Sequence, residues 1–152
     1  MSIAARYVHT NIIARDWRSL ADFYIQVFGC QPVPPERHLT EPWVAQATGI
    51  PGAEQHGMHL RLPGHGDTGP TLEIFQYPQV HDGGLPAIDR TGLAHLAFGV
   101  EDVEAALKAV REAGGGAVGK LVNVEVAGVG RLTFVYARDP EGNIIELQKW
   151  DR

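Results

Sequence analysis

One pattern in this 152-residue chain occurs twice, and it constrains the fold more than anything else. Near the start, Tyr7-Val-His9-Thr-Asn-Ile-Ile-Ala14 is a short apolar segment with a histidine inside it, and Asp16 opens a helical pattern seven residues after that histidine. Further on, Gly92-Leu-Ala-His95-Leu-Ala-Phe-Gly-Val100 repeats the arrangement, with Asp102 again seven residues past the histidine. Two carboxylates recur in the same way. Thr71-Leu-Glu73-Ile-Phe-Gln-Tyr77 and Ile144-Ile-Glu146-Leu-Gln-Lys-Trp150 are apolar strand patterns with one glutamate inside and an aromatic residue four positions on. The His-to-Glu interval is 64 residues in the first copy and 51 in the second, so the first copy carries roughly a dozen extra residues. The chain therefore reads as two copies of one unit, modules 5–78 and 91–151 of a single domain spanning 1–152.

Each module reads as strand–helix–strand–strand–strand. In the first, residues 7–14 form a strand. Asp16 caps a helix to Phe28, whose Trp17, Leu20, Phe23, Tyr24, Val27 and Phe28 fall at helical spacing, and Gly29 ends it. That aromatic stripe is read as core. Residues 31–37 hold three prolines, which confines them to a sheet edge. Residues 38–55 are turn-rich and accommodate the extra length, either shaping a pocket or forming a surface loop with Trp43 packed down. Residues 57–62 alternate, with Met58, Leu60 and Leu62 on one face and His59 and Arg61 on the other. Residues 79–91 link the copies. The second module runs as strand 92–100, helix 102–113, strands 120–126 and 132–137, the hairpin turn Asp139-Pro-Glu-Gly-Asn143, and strand 144–150. The glycine cluster at 114–119 follows a helix rather than opening one, so it is read as a helix cap and turn, not a phosphate loop. The fold class expected is α+β: two βαβββ modules forming a cupped mixed sheet with helices outside.

Composition narrows the functional classes. A hydrophobic fraction of 44% is ordinary for a globular domain, and a net charge of −5 without a basic stripe argues against nucleic acid or an anionic membrane surface. Cys30 is the sole cysteine, which excludes an intrachain disulfide and a thiolate metal cluster. Neither a leader pattern nor an apolar run of membrane-spanning length is present, so a soluble, cytoplasmic protein is expected.

Strand alternation places His9 with Tyr7 and Asn11, Glu73 with Phe75 and Tyr77, His95 with Leu93 and Ala97, and Glu146 with Ile144, Gln148 and Trp150. The opposite faces are apolar and should pack on the helices, so the His/Glu faces should look into the concavity. A glutamate deep in an apolar strand is costly unless paired or metal-bound. One divalent cation (Zn, Ni, Co, Mn or Fe) would satisfy His9, Glu73, His95 and Glu146 together. Asn11, Phe75, Tyr77, Gln148 and Trp150 are the pocket candidates. His38, His56, His59, His65 and His81 lack a repeat partner and are read as surface or loop residues, with His59 and Arg61 in reach of an anionic substrate if their face looks into the cup.

With these residues in place, the chain resembles the vicinal oxygen chelate superfamily, which includes glyoxalase I, methylmalonyl-CoA epimerase, extradiol dioxygenases and the bleomycin and fosfomycin resistance proteins. The resemblance spans essentially the whole chain and rests on His9, Leu72-Glu73-Ile74, Gly92-Leu-Ala-His95, Asp139-Pro-Glu-Gly-Asn143 and Ile145-Glu146-Leu147. It implies a metal-dependent lyase or isomerase that moves a proton next to a carbonyl, with His9 and His95 holding the metal and Glu73 or Glu146 as general base. It also implies two alternatives. One is an iron-dependent ring-cleaving dioxygenase using His9, His95 and Glu146. The other is a metal-free drug-binding protein with Trp43, Phe75, Tyr77 and Trp150 as stacking surfaces. A small-molecule substrate and a homodimer are the partners it implies.

Overall fold

The computed structural model describes residues 1–152. The chain divides into two compact units, Met1–His81 and Asp82–Arg152, and each holds a mixed sheet, of four and five strands respectively. No helix is long and apolar enough to cross a membrane.

In the first unit, β1 (His9–Ile13) leads into α1 (Trp17–Phe28). The Asp16 side chain accepts from the Ser19 N–H at 3.1 Å, which starts the helix. Gly29, at φ 69°, ends it with its N–H on the Ile25 carbonyl at 3.0 Å. The aromatic stripe is core: Tyr24 is fully buried, in edge contact with Phe23 and stacked on Phe28. β2 (Gln31–Leu39), β3 (Gln55–Arg61) and β4 (Thr71–Gln76) complete the sheet in the order β1-β4-β3-β2. β2 is an edge strand, as its prolines require, and runs two residues further than expected. β1 and β4 are parallel, while β3 is antiparallel to both its neighbours. α1 packs on β3 and β4, where Leu60, Leu72 and Ile74 are completely buried.

The insertion differs from expectation. It contains a short helix, α2 (Pro42–Thr48), rather than only turns. Pro42 at its first turn sets a helical φ and lacks only an N–H that would have had no partner there. Val44, not Trp43, is the residue packed down: Val44 is fully buried and Trp43 is 49% exposed.

The second unit repeats the plan with β5 (His95–Gly99), α3 (Val103–Glu112), β8 (Gly130–Arg138) and β9 (Ile144–Asp151). Asp102 caps α3 by accepting from the Ala105 N–H at 3.0 Å. β5 and β9 are parallel, β8 and β9 antiparallel. The far edge of β8 is shared by two short strands, β6 (Gly116–Ala117) and β7 (Val122–Val126), so the glycine cluster is partly strand and Ala113 is the residue capping α3. Gly115 is needed because the chain crosses against β8 there: a Cβ would lie 2.2 Å from the Arg138 carbonyl oxygen.

Candidate metal centre

Glu73 sits at the centre of the first sheet, and the register decides its surroundings. Asn11 of β1 lies opposite it on one side and His59 of β3 on the other, while His9 pairs with Thr71 two positions back on the same face. Both carboxylate oxygens are engaged. Oε1 accepts from Asn11 Nδ2 at 2.7 Å and lies 3.7 Å from His9 Nε2; Oε2 lies 2.6 Å from His59 Nε2. Glu73 and His59 are largely covered, at 14% and 18% side-chain exposure, whereas His9 is 39% exposed. The rings of His9 and His59 meet edge-on at 5.5 Å, and His59 is edge-on to Phe75 at 6.0 Å. One ligand atom from each of His9, His59 and Glu73 falls within a sphere of mutual distances no greater than 4.8 Å.

Burial pushes the His59 imidazole below its ordinary pKa. The nearby Arg37 and His9 charges act in the same direction, and Glu73 opposes them. A cation bound here would take the place of the proton between His59 Nε2 and Glu73, since metal binding to an imidazole releases its proton. His59 Nδ1 is 3.0 Å from Thr71 Oγ1, a contact that fixes the ring plane and leaves Nε2 directed at the carboxylate. Two imidazoles and a carboxylate converging on one point form a donor set that fits a first-row divalent cation.

In the second unit, His95 and Glu146 share one face of the sheet, with Ala97 and Tyr136 flanking Glu146 in register. Tyr136 thus stands where His59 stands in the first unit. It meets the His95 ring at 5.1 Å and Phe134 at 5.6 Å. Glu146 Oε2 accepts from Gln148 Nε2 at 2.6 Å, and Gln148 Oε1 in turn accepts from Trp150 Nε1 at 2.8 Å, so three residues of one strand form a hydrogen-bonded row.

Of the residues named from sequence, His9, Asn11, Glu73 and Phe75 come together in the first unit, and His95, Glu146, Gln148 and Trp150 share a face of the second. Tyr77 lies past the end of β4 and lines a different hollow with Trp17, His38 and His56, its hydroxyl accepting from Gln55 Nε2 at 2.7 Å. Arg61 is on the Glu73 face and donates to the Gly69 carbonyl. The sequence pattern does not mark His59 as a ligand, because the second copy has no histidine to match it. Its alternation against Met58 and Leu60 put it on a polar face, but only the β3–β4 register brings that face to Glu73. His38 and His56 also lie in strands, opposite one another in β2 and β3, rather than in loops.

Two mixed-sheet units, each with a carboxylate at the centre of its sheet and a histidine on the neighbouring parallel strand, define a paired-module class. The chain belongs to the Glyoxalase/Bleomycin resistance protein/Dioxygenase superfamily, whose family model matches residues 6–147. Among solved structures, it is similar to a glyoxalase family protein from Bacillus cereus, at 17% identity and a TM-score of 0.82 over 98% of this chain and 96% of that one. It is also similar to a glyoxalase family protein from Enterococcus faecalis, at 24% identity and a TM-score of 0.57 over 95% and 96%. A glyoxalase/bleomycin resistance protein/dioxygenase domain from Frankia sp. EAN1pec shares 18% identity and a TM-score of 0.57 over 99% and 95%. These identities speak for the fold alone. None of the curated proteins matches the chain.

Proposed function

We propose that this protein is a divalent-metal-dependent lyase or isomerase that moves a proton on the carbon next to a carbonyl. The observation that carries the reading is the convergence of His9, His59 and Glu73 on one point of a sheet face. His9, His59 and Glu73 would hold the cation. When bound, a divalent cation polarises the substrate carbonyl and stabilises the charge that builds on its oxygen. The remaining chemistry falls to the chain. Glu73, with both oxygens engaged from two neighbouring strands, is held in place. Glu146 is held only by a glutamine of its own strand, and it is the carboxylate assigned to take and return the proton. Phe75, Trp150 and Gln148 would line the substrate side of these faces.

Metal content and turnover test this together. Purified protein should carry about one Zn, Ni, Co or Mn per chain, by the ligand preference of a nitrogen and carboxylate site. It should turn over a 2-oxoaldehyde–thiol adduct or exchange the α-proton of an acyl thioester in deuterated solvent. Glu146→Gln should keep the fold and lose at least about 100-fold in turnover, the lower end of what a positioned general base supplies. Full activity in that variant sinks the assignment. One observation favours a second reading: two histidines and one carboxylate also make the donor set of non-haem iron oxygenases. Iron in the purified protein, with oxygen uptake on addition of catechols, would put a ring-cleaving dioxygenase first. Failure to take up any metal would put the metal-free drug-binding reading first.

A further inference from the structure

The first unit holds a second cluster of titratable side chains, on the opposite side of the sheet from Glu73. His38 of β2 and His56 of β3 are directly paired in the strand register, and their Nδ1 atoms lie 3.0 Å apart. The far nitrogen of each ring meets a carboxylate. His38 Nε2 is 2.8 Å from Glu36 Oε1, and His56 Nε2 is 3.1 Å from Glu54 Oε2. Glu36 is itself fixed by Arg18, whose Nη1 donates to it at 3.1 Å.

The proton count makes this arrangement informative. An ionised carboxylate can only accept, so each Nε2 must carry a hydrogen. A neutral imidazole has one N–H, so each Nδ1 is then a bare lone pair. Two lone pairs facing one another at 3.0 Å repel unless something positive lies between them. A carboxylate behind each imidazole is also the arrangement that orients histidines toward a metal and raises their basicity. With zinc–nitrogen bonds of about 2.0–2.1 Å, two imidazole nitrogens on a tetrahedral ion sit roughly 3.4 Å apart, a few tenths of an ångström beyond the distance seen here. The two rings line a hollow of about 380 Å³ together with Trp17, Gln76, Tyr77 and Pro78, so further coordination positions have room for water or a ligand oxygen.

We propose that His38 and His56 form a second cation site, in which two Nδ1 atoms clamp a divalent ion of the zinc type and Glu36 and Glu54 fix the rings from behind. The site is independent of the function proposed above and shares no residue with His9, His59 or Glu73.

The test is a Zn²⁺ titration of the full-length protein at pH 7.5, followed by long-range proton–nitrogen NMR of the histidine rings. The expected result is that the Nδ1 signals of both His38 and His56 shift together and saturate with zinc, while both Nε2 atoms remain protonated. Glu54→Gln, which keeps the shape of the side chain, should weaken that response about 10-fold or more. His56→Ala should abolish it at His38 while the zinc response of His9 and His59 persists. The proposal is overturned if the Nδ1 signals of His38 and His56 do not move with Zn²⁺ up to millimolar concentration. It is equally overturned if they report one proton shared between the rings that zinc does not displace. Because the primary reading is made on the unaltered protein, failure of a variant to fold does not protect the idea.

Discussion

Asp139 closes the turn that leads into β9, the strand that carries Glu146. It is 2% exposed, at the turn between β8 and β9. Its Oδ1 accepts from the backbone N–H groups of Glu141 at 2.9 Å and Asn143 at 3.0 Å, and its Oδ2 accepts from Asn143 Nδ2 at 2.9 Å. The backbone closes the same turn, with the Asp139 N–H on the Asn143 carbonyl at 2.9 Å and the Gly142 N–H on the Asp139 carbonyl at 3.0 Å. Asp139→Ala removes all three side-chain bonds and leaves two backbone donors without their acceptor. Hydrogen bonds to charged groups contribute about 1.5–3 kcal/mol each. The turn is only partly covered, so the low end applies, and three such bonds give about 4.5 kcal/mol. That is a large share of the roughly 5–15 kcal/mol that holds a domain together. Asp139→Asn keeps one oxygen for the two backbone donors, and Asn143 can turn its amide to match, so about 1–2 kcal/mol is expected. Urea unfolding at pH 7, followed by circular dichroism, measures both, and the slope should stay constant if only stability has changed. Equal losses in the two variants, each under about 1 kcal/mol, would refute the reasoning, because the carboxylate would then not be what holds the turn.

Two further predictions rest on close packing. Gly57→Ala should cost about 2–3 kcal/mol in thermal or urea unfolding, because its new Cβ would lie 2.0 Å from the Ile74 carbonyl oxygen and 2.5 Å from Phe75 Cδ1. Gly99→Ala, with nothing within 4 Å, should be close to neutral, and comparable losses at the two sites would count against the packing argument. The Cys30 thiol is buried, and burial pushes its pKa up to about 11 from an ordinary 9.0. The folded thiol therefore stays protonated while the unfolded one ionises, so its contribution to stability is full below pH 9 and is lost as pH rises toward 11. Relative to Cys30→Ala, the protein should lose stability over that window, and the native thiol should resist a disulfide reagent at pH 8 that labels the urea-unfolded chain. Rapid labelling of the native protein would show the opposite.

The sequence carried the strands and helices that repeat, because each is signalled locally. Asp16 and Asp102 both cap a helix by accepting from the N–H three residues on, which is why the same seven-residue offset from a histidine appears twice. It did not carry α2, whose seven residues are too few for an amphipathic period and whose proline reads as a turn until its place at the helix start is known. Nor did it carry His59 beside Glu73. Alternation assigns a residue to a face, but only strand register assigns it a neighbour, and the second unit offers Tyr136 at that place, so a search for repeats passes over it. The repeat thus preserves the two carboxylates and not what surrounds them. Glu73 is gripped from both adjoining strands, by Asn11 and His59, and moving it would break bonds across the sheet. Glu146 faces Ala97 on one side and Tyr136 on the other, and its hydrogen-bond partner, Gln148, shares its strand and can follow it. Two copies of one module have therefore diverged at the positions that decide how firmly a carboxylate is held. That asymmetry is the physical reason for proposing Glu146, rather than Glu73, as the carboxylate that moves a proton.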